Sequence, residues 1–161
     1  MEDQVEGINP TSEIRQLFEG DQQDRQNFSK DPTKGLEIRQ KDEQRLEEAK
    51  EILAKGEILD PEELNMLAFI FQHGDTVKDY QQALELATEA VELGLPPQNS
   101  LIPQATDRLM VREQLDKGVP LNQLKQKFGT QVMFDSDGTP VKPQLDGTVT
   151  KEELKKFGIE V

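Results

Sequence analysis

The sequence predicts an all-α fold (mainly), with five or six helices in an antiparallel bundle and a small β-hairpin near the C-terminus. Three observations carry this prediction. Apolar residues recur at three- and four-residue spacing through most of the chain, as they do on one face of a helix. Capping residues precede these stretches, and glycine or proline follows them. Strand-forming residues flank a turn cluster within residues 132–141.

The first two helices are predicted on either side of a break at residues 31–35, which contain a proline and a glycine. Ser12 is suited to cap the first helix. The apolar side chains of this helix are Ile14, Leu17, Phe18 and Phe28. A second helix is predicted from about Leu36 to Lys55, and its narrow apolar stripe implies a solvated outer side.

Residues 60–94 predict an alanine-rich pair of helices. Asp60 is placed to cap the third helix, and residues 64–71 are apolar almost all round, so we expect this helix to lie at the centre of the core. The fourth helix is predicted to begin at Asp75 or Thr76. The pair has a tetratricopeptide-like texture, but a repeat array requires about three such units or more.

The last third of the chain changes character. A fifth helix is predicted to begin at Asn99 or Ser100, and a short sixth helical segment is predicted over residues 121–127. Two short edge strands are predicted within residues 132–141, because prolines there restrict the pairing. Thr150 is placed to cap a last turn or two of helix.

The charge balance excludes several classes of partner. The chain has 32 acidic and 19 basic residues, a net charge of -13. A nucleic-acid-binding surface needs clustered cations, and so does binding to an anionic membrane surface, so neither partner is expected. The absence of cysteine excludes disulfides and thiolate metal sites.

The predicted domain organisation is simple. Residues 1–11 are expected to form a disordered acidic lead, and residues 12–161 a single helical domain. The first ten residues lack the cationic start and apolar run of a signal peptide, so a cytoplasmic location is expected.

Residues 142–153 resemble a degenerate calcium-binding loop. Asp146 and Glu153 match positions five and twelve of such a loop, but Lys142 places a cation at position one, where the ion needs a carboxylate. The alternative is a turn followed by a capping box that begins at Thr150. We predict no metal site and no cofactor, and we leave open whether this segment binds a metal.

Three polar elements are candidates for function, and each also has an ordinary structural interpretation. His73 ends an apolar helix, where it is either an acid–base group or a partner of the last helix carbonyls. The pairs Asp24-Arg25 and Asp107-Arg108 form either interhelical ion pairs or, at Arg108, a clamp for a carboxylate.

The segment from residue 128 to residue 131 lines a pocket or simply ends a helix, and the sequence does not decide between these alternatives. Phosphate-loop, dinucleotide-binding, zinc-protease and nucleophile-elbow motifs are absent from the sequence.

Several short motifs follow one another along the chain. They are Asp21-Gln22-Gln23-Asp24-Arg25, Ile70-Phe71-Gln72-His73-Gly74-Asp75, Asp79-Tyr80 with Ala83, Ala105-Thr106-Asp107-Arg108 and Phe128-Gly129-Thr130-Gln131. In this order they resemble an uncharacterised family of small bacterial helical domains over residues 17–160, although the stretch 116–127 is longer than the family pattern. The resemblance implies no known activity. It does imply one spatial cluster of Gln72, His73, Asp107, Arg108, Thr130 and Gln131.

Two functions are compatible with these observations. The first, which the sequence favours, is a protein–protein interaction module that presents the helical pair at residues 60–94 and an acidic surface to an unknown protein partner. The second is a small-molecule-binding or enzymatic domain. In that domain His73 would be the acid–base group, Arg108 would bind an anion, and the orienting or ligand-binding residues would be Gln72, Asp107, Thr130 and Gln131. The sequence identifies no substrate, partner or oligomeric state.

Overall fold

The computed structural model describes residues 12–56 and 59–160, so the lead expected over residues 1–11 lies outside the described residues. The predicted fold class is confirmed, because the structure is mainly helical with two small pairs of strands. The helices are α1 (Glu13–Lys30), α2 (Gly35–Ala54), α3 (Pro61–Gln72), α4 (Val77–Glu92), α5 (Ile102–Asp116) and α6 (Lys151–Lys156). The strands are β1 (Lys125–Gln126), β2 (Met133–Phe134), β3 (Pro140–Val141) and β4 (Gln144–Leu145).

Side-chain caps begin four of the helices where the sequence predicts them. Ser12 accepts a hydrogen bond from a backbone N–H of α1, and Asp60, Thr76 and Thr150 form capping boxes at α3, α4 and α6. Each such cap stabilises a helix by about 1 kcal/mol. The capping interpretation of Thr150 is therefore confirmed.

The core lies where the sequence predicts it, around the α3–α4 pair. Small residues on α4 allow close approach of the helices, and α1, α2 and α5 complete the apolar cluster. Fully or nearly fully buried members are Ile14, Ala49, Leu67, Ala68, Ile70, Ala83, Leu86, Ala87, Ala90, Leu101 and Ala105. Phe18 of α1 meets Phe69 of α3 edge to face, with ring centroids 5.4 Å apart.

The start predicted for the fifth helix is wrong. Asn99 belongs to a short 3-10 turn, Pro97–Asn99, and α5 begins two residues after Ser100. Pro103 lies in the first turn of α5, where the proline needs no backbone N–H to continue the helix.

The segment predicted to be helical over residues 121–127 is helical only in its first three residues. A 3-10 turn, Leu121–Gln123, leads into β1, which pairs in parallel with β4. The Gln114 side chain of α5 accepts from the Lys125 N–H and donates to the Lys125 carbonyl oxygen. These partners, distant in sequence, satisfy backbone groups that a helix would have paired locally.

The predicted C-terminal hairpin is confirmed. Strands β2 and β3 pair antiparallel, with Met133 opposite Val141 and Phe134 opposite Pro140. Among the described helices, none combines the length and the apolar character that crossing a membrane requires.

Gly74 closes the turn between α3 and α4, and we expect the substitution Gly74→Ala to destabilise the protein. A Cβ there would lie 2.5 Å from Oδ2 of Asp79, which accepts from the Thr76 N–H in the capping box. The free energy of unfolding should fall by about 1–2 kcal/mol, the typical effect of losing a cap, and urea denaturation measures it.

A matched control is Gly20→Ala in α1. A Cβ at Gly20 would meet Arg45 only at 3.7 Å, an ordinary contact, and alanine has the better helix propensity. This variant should equal or exceed the wild type in stability. Equal stability of both variants would show that Asp79 moves aside without cost.

Candidate functional site

A cleft of about 720 Å³ opens among α1, α2, the α3–α4 turn and α5. Arg25, Asp42, His73, Tyr80 and Arg108 are among the residues that line it. The cleft has the volume of ordinary small-molecule sites, which run from about 300 to 1,000 Å³. It brings together two of the residues selected from the sequence, His73 and Arg108.

A buried carboxylate holds the imidazole of His73. Nδ1 of His73 lies 2.8 Å from Oδ1 of Asp21 on α1, and Asp21 is fully buried. Gln22 donates to the other carboxylate oxygen at 3.0 Å. His73 is also the C-cap residue of α3, so the end of that helix fixes its backbone.

Asp21 is ionised despite its burial. Burial alone would raise the pKa of Asp21, but the hydrogen bond and charge of His73 and the charges of Arg25 and Arg45 outweigh it, and the pKa falls below its usual 3.8. A carboxylate can only accept hydrogen bonds, so Nδ1 of His73 must carry the proton between them. In the neutral ring, Nε2 then carries the lone pair.

Asp21 was not among the residues selected from the sequence, although its position carries a signal. Asp21 lies seven residues after Ile14 and seven before Phe28, so it falls on the apolar face of α1. A carboxylate in such a position is desolvated on folding and requires a partner. The pattern could have predicted a buried acid, but not that its partner is His73.

Ion pairs between α1 and α2 surround this contact. Arg25 pairs with Asp42 at 2.7 Å, while Asp24 pairs with Arg45 and, at 3.5 Å, with Lys41. The interhelical alternative for Asp24-Arg25 is therefore confirmed. Burial opposes ionisation of Asp24, but Arg45 and Lys41 hold the pKa of Asp24 below its usual value.

The same residues include a geometric candidate for a metal site. Three possible ligand atoms lie within 4.8 Å of one another, one each from Asp21, Asp42 and His73. However, Arg25 and Arg45 already hydrogen-bond to or pair with these carboxylates, and Nδ1 of His73 donates directly to Asp21. A metal ion would have to displace two guanidinium groups, so we assign the cluster to ion pairing.

Arg108 approaches the cleft from α5. Its Nη1 donates to the Gln72 carbonyl oxygen at 2.8 Å, and its Nε donates to Oε1 of Gln131 at 3.4 Å. Burial lowers the pKa of Arg108; nearby Tyr80 opposes this effect and the charge of Arg25 adds to it. Within residues 12–56 and 59–160, no carboxylate pairs with Arg108, so the interhelical ion pair considered for it does not form there.

Asp107 is placed differently from Arg108. It is fully buried, and it accepts hydrogen bonds from the backbone N–H groups of Lys127, Phe128 and Thr130 and from the Thr130 hydroxyl, at 2.7–2.9 Å. Gly129, with φ at +82°, allows the loop to fold around this carboxylate. Asp107 thus anchors the loop after β1 and does not line the cleft.

The other sequence-selected residues link these two parts of the structure. The Gln131 side chain donates to the Thr130 hydroxyl at 3.2 Å and accepts from Arg108, so Asp107, Thr130, Gln131 and Arg108 form one chain of hydrogen bonds. Gln72 contributes its backbone carbonyl, while its side chain is buried with Oε1 unpaired among the described residues. Only His73 and Arg108 of the six line the cleft.

Comparison with known proteins does not assign the chain to a family. No family model matches it, and no similar curated protein or solved structure was found. The resemblance to a bacterial helical family stays a prediction, so the cleft itself is the basis for a functional proposal.

We expect Asp107→Asn to loosen the loop that joins β1 to β2. In this variant an NH₂ group replaces one carboxylate oxygen, and it cannot accept hydrogen bonds from the backbone N–H groups that face it. Each hydrogen bond to a charged acceptor contributes about 1.5–3 kcal/mol. The free energy of unfolding should fall by about 2 kcal/mol, with faster amide hydrogen exchange at residues 127–131.

The control for this variant is Asp116→Asn at the exposed end of α5, where Arg112 is the one donor to the carboxylate among the described residues. Its stability should change by less than about 0.5 kcal/mol. An Asp107→Asn protein as stable as this control would contradict the anchoring role.

Asp21 should make the stability of the protein depend on pH in the acid range. Its folded pKa lies below the unfolded value of 3.8, so its contribution is complete above that pH and is lost as the pH falls through the folded pKa. Urea denaturation from about pH 5 to about pH 2 should therefore show a shallower acid loss of stability in Asp21→Asn than in the wild type.

The matched variant is Asp75→Asn, because Asp75 is exposed and forms no described ion pair. It should keep the slope of the wild type. Identical slopes for the wild type and Asp21→Asn would show that the neighbours of Asp21 do not lower its pKa in the folded protein.

Proposed function

We propose that this domain binds a small molecule in the cleft and that His73 exchanges a proton with it. The observation that carries the proposal is the buried Asp21 carboxylate, which orients the His73 ring at the wall of a cleft of about 720 Å³. A buried acid that orients a histidine is a recurring device of acid–base sites.

The ring has one nitrogen available for this chemistry. Asp21 occupies Nδ1, and no group within residues 12–56 and 59–160 hydrogen-bonds to Nε2. A ligand in the cleft would therefore meet the lone pair of the neutral ring, or the N–H of the charged ring. The Asp21 contact holds the tautomer and orientation that proton transfer requires.

The residues around His73 favour proton transfer over covalent catalysis. The described residues that line the cleft include neither serine nor cysteine, and the Thr76 hydroxyl accepts the capping hydrogen bond of α4. His73 therefore has no serine or cysteine to activate among the described residues of the wall. A proton donor or acceptor is the role that remains for the ring.

A purely structural role for the hydrogen bond between His73 and Asp21, which joins α3 to α1, accounts for only part of this geometry. It explains why Nδ1 meets Asp21, but it requires neither a cleft beside the ring nor an unpaired Nε2. The side chain of His73 is 19% exposed, enough for contact with a ligand.

The protein–protein interaction module favoured by the sequence stays a prediction. That function would be supported by a continuous apolar patch without a polar cluster. The exposed large apolar side chains instead belong to different parts of the fold: Phe28 and Leu36 near the α1–α2 turn, Leu93 after α4, and Val132, Phe134 and Leu145 in the strand region.

An NMR screen of small fluorinated fragments against isotope-labelled protein tests the proposed function. Fragments that bind should shift the signals of the His73 ring and the Gly74 amide. In His73→Gln, which keeps a polar side chain of similar reach, their affinity should fall by about tenfold, as expected on losing a well-formed polar contact.

The control is Glu89→Gln, on α4 and outside the cleft. It should bind the fragments as the wild type does. The proposal fails if no fragment shifts the His73 and Gly74 signals, or if His73→Gln and Glu89→Gln bind equally well.

A further inference from the structure

We propose that the ligand of this cleft is a small organic anion whose carboxylate or phosphate group is bound by Arg108. This inference rests on the proposed small-molecule function and specifies the chemical class of the ligand. It depends on the contacts of Arg108, on the ion pairs that already compensate the neighbouring Arg25, and on the phenol of Tyr80, which lines the same cleft.

Arg108 is a largely desolvated cation whose described partners are all uncharged. Nη1 and Nε donate to a backbone carbonyl and to an amide oxygen, and within the described residues Nη2 has no partner. By contrast, Arg25 and Arg45 are paired with aspartates, while Arg39, which also lines the cleft, is exposed and has no described ion pair. A desolvated cation without a counter-ion is costly, and a bound anion would supply the missing charge.

A second positive charge faces the same space. Arg25 and Arg108 both line the cleft, and Arg25 is close enough for its charge to disfavour protonation of Arg108. Arg25 is already paired with Asp21 and Asp42, so Arg108 is the one of these two guanidinium groups that lacks a described counter-ion and can attract an anion.

Tyr80 provides an uncharged donor beside Arg108. Burial raises the pKa of Tyr80, so its hydroxyl keeps its proton near neutral pH, and no described group hydrogen-bonds to it. A phenol O–H and a guanidinium N–H together can satisfy two oxygens of a carboxylate or phosphate.

Acidic residues also line the cleft, but two of them are already engaged. Asp42 pairs with Arg25 and Arg45, and Asp79 accepts from the Thr76 N–H in the α4 capping box. Glu43 and Asp75 remain at the cleft without a described ion pair. Burial raises the pKa of Tyr80 most, and the nearby charges of Asp75 and Asp79 add to this effect, so the contact that attracts the anion is Arg108. The proton-exchanging part of the ligand then lies beside His73.

The test compares matched probes: a fluorobenzoate, the corresponding fluorobenzamide and a fluorophenyl phosphate, each titrated into the full chain and followed by NMR. The anions should bind more tightly than the amide and should shift the Nε–H signal of Arg108. Comparing the benzoate with the phosphate identifies the preferred oxyanion. This comparison in the wild type does not depend on any variant folding.

Variants then assign the effect to Arg108. Arg108→Gln should weaken anion binding by about tenfold or more, the loss expected for a charge-assisted hydrogen bond, while leaving amide binding unchanged. Arg108→Lys keeps the charge but not the planar fork, so it should bind with intermediate affinity. Arg15→Gln, on α1 and paired with Asp60 outside the cleft, is the control and should bind as the wild type.

The outcomes separate the two proposals. If the amide shifts the His73 and Gly74 signals as strongly as the benzoate does, or if Arg108→Gln binds anions as the wild type does, the anion inference is overturned while the small-molecule site stands. If neither these probes nor the wider fragment set shifts those signals, the proposed function fails and the inference with it.

Discussion

The buried carboxylate of Asp21 is the constraint on which the first half of the structure depends. Folding removes it from water, and it stays ionised because His73, Arg25 and Arg45 converge on it from α3, α1 and α2. Losing one partner of a buried charge costs far more than an exposed ion pair contributes. The position of His73 at the cleft is therefore determined by the electrostatics of α1.

A second buried carboxylate organises the other half. Asp107 has no cationic partner among the described residues and is stabilised by three backbone N–H groups and a hydroxyl of the loop after β1. This loop places the Gln131 side chain where it accepts a hydrogen bond from Arg108. Arg108 also donates to the backbone carbonyl oxygen of Gln72. The two aspartates thereby help to position His73 and Arg108 at one cleft, which neither aspartate lines.

The sequence predicted the parts of the fold that local interactions determine. Helix starts at Ser12, Asp60, Thr76 and Thr150 were predictable because a cap and its partner lie within a few residues. The strand at Lys125–Gln126 was missed because its backbone is paired with Gln114 and with β4, far along the chain. Propensity carries no information about such partners.

The sequence by itself determined the helical fold class, the central α3–α4 core and the choice of His73 and Arg108 as chemically capable residues. Only the tertiary structure decided their surroundings. Asp21 and His73 are 52 positions apart, and Arg108 is 36 positions from Gln72, so their contacts exist only after the helices pack. A side chain's chemistry follows from its type, but its charge state and available atoms follow from the neighbours that packing supplies.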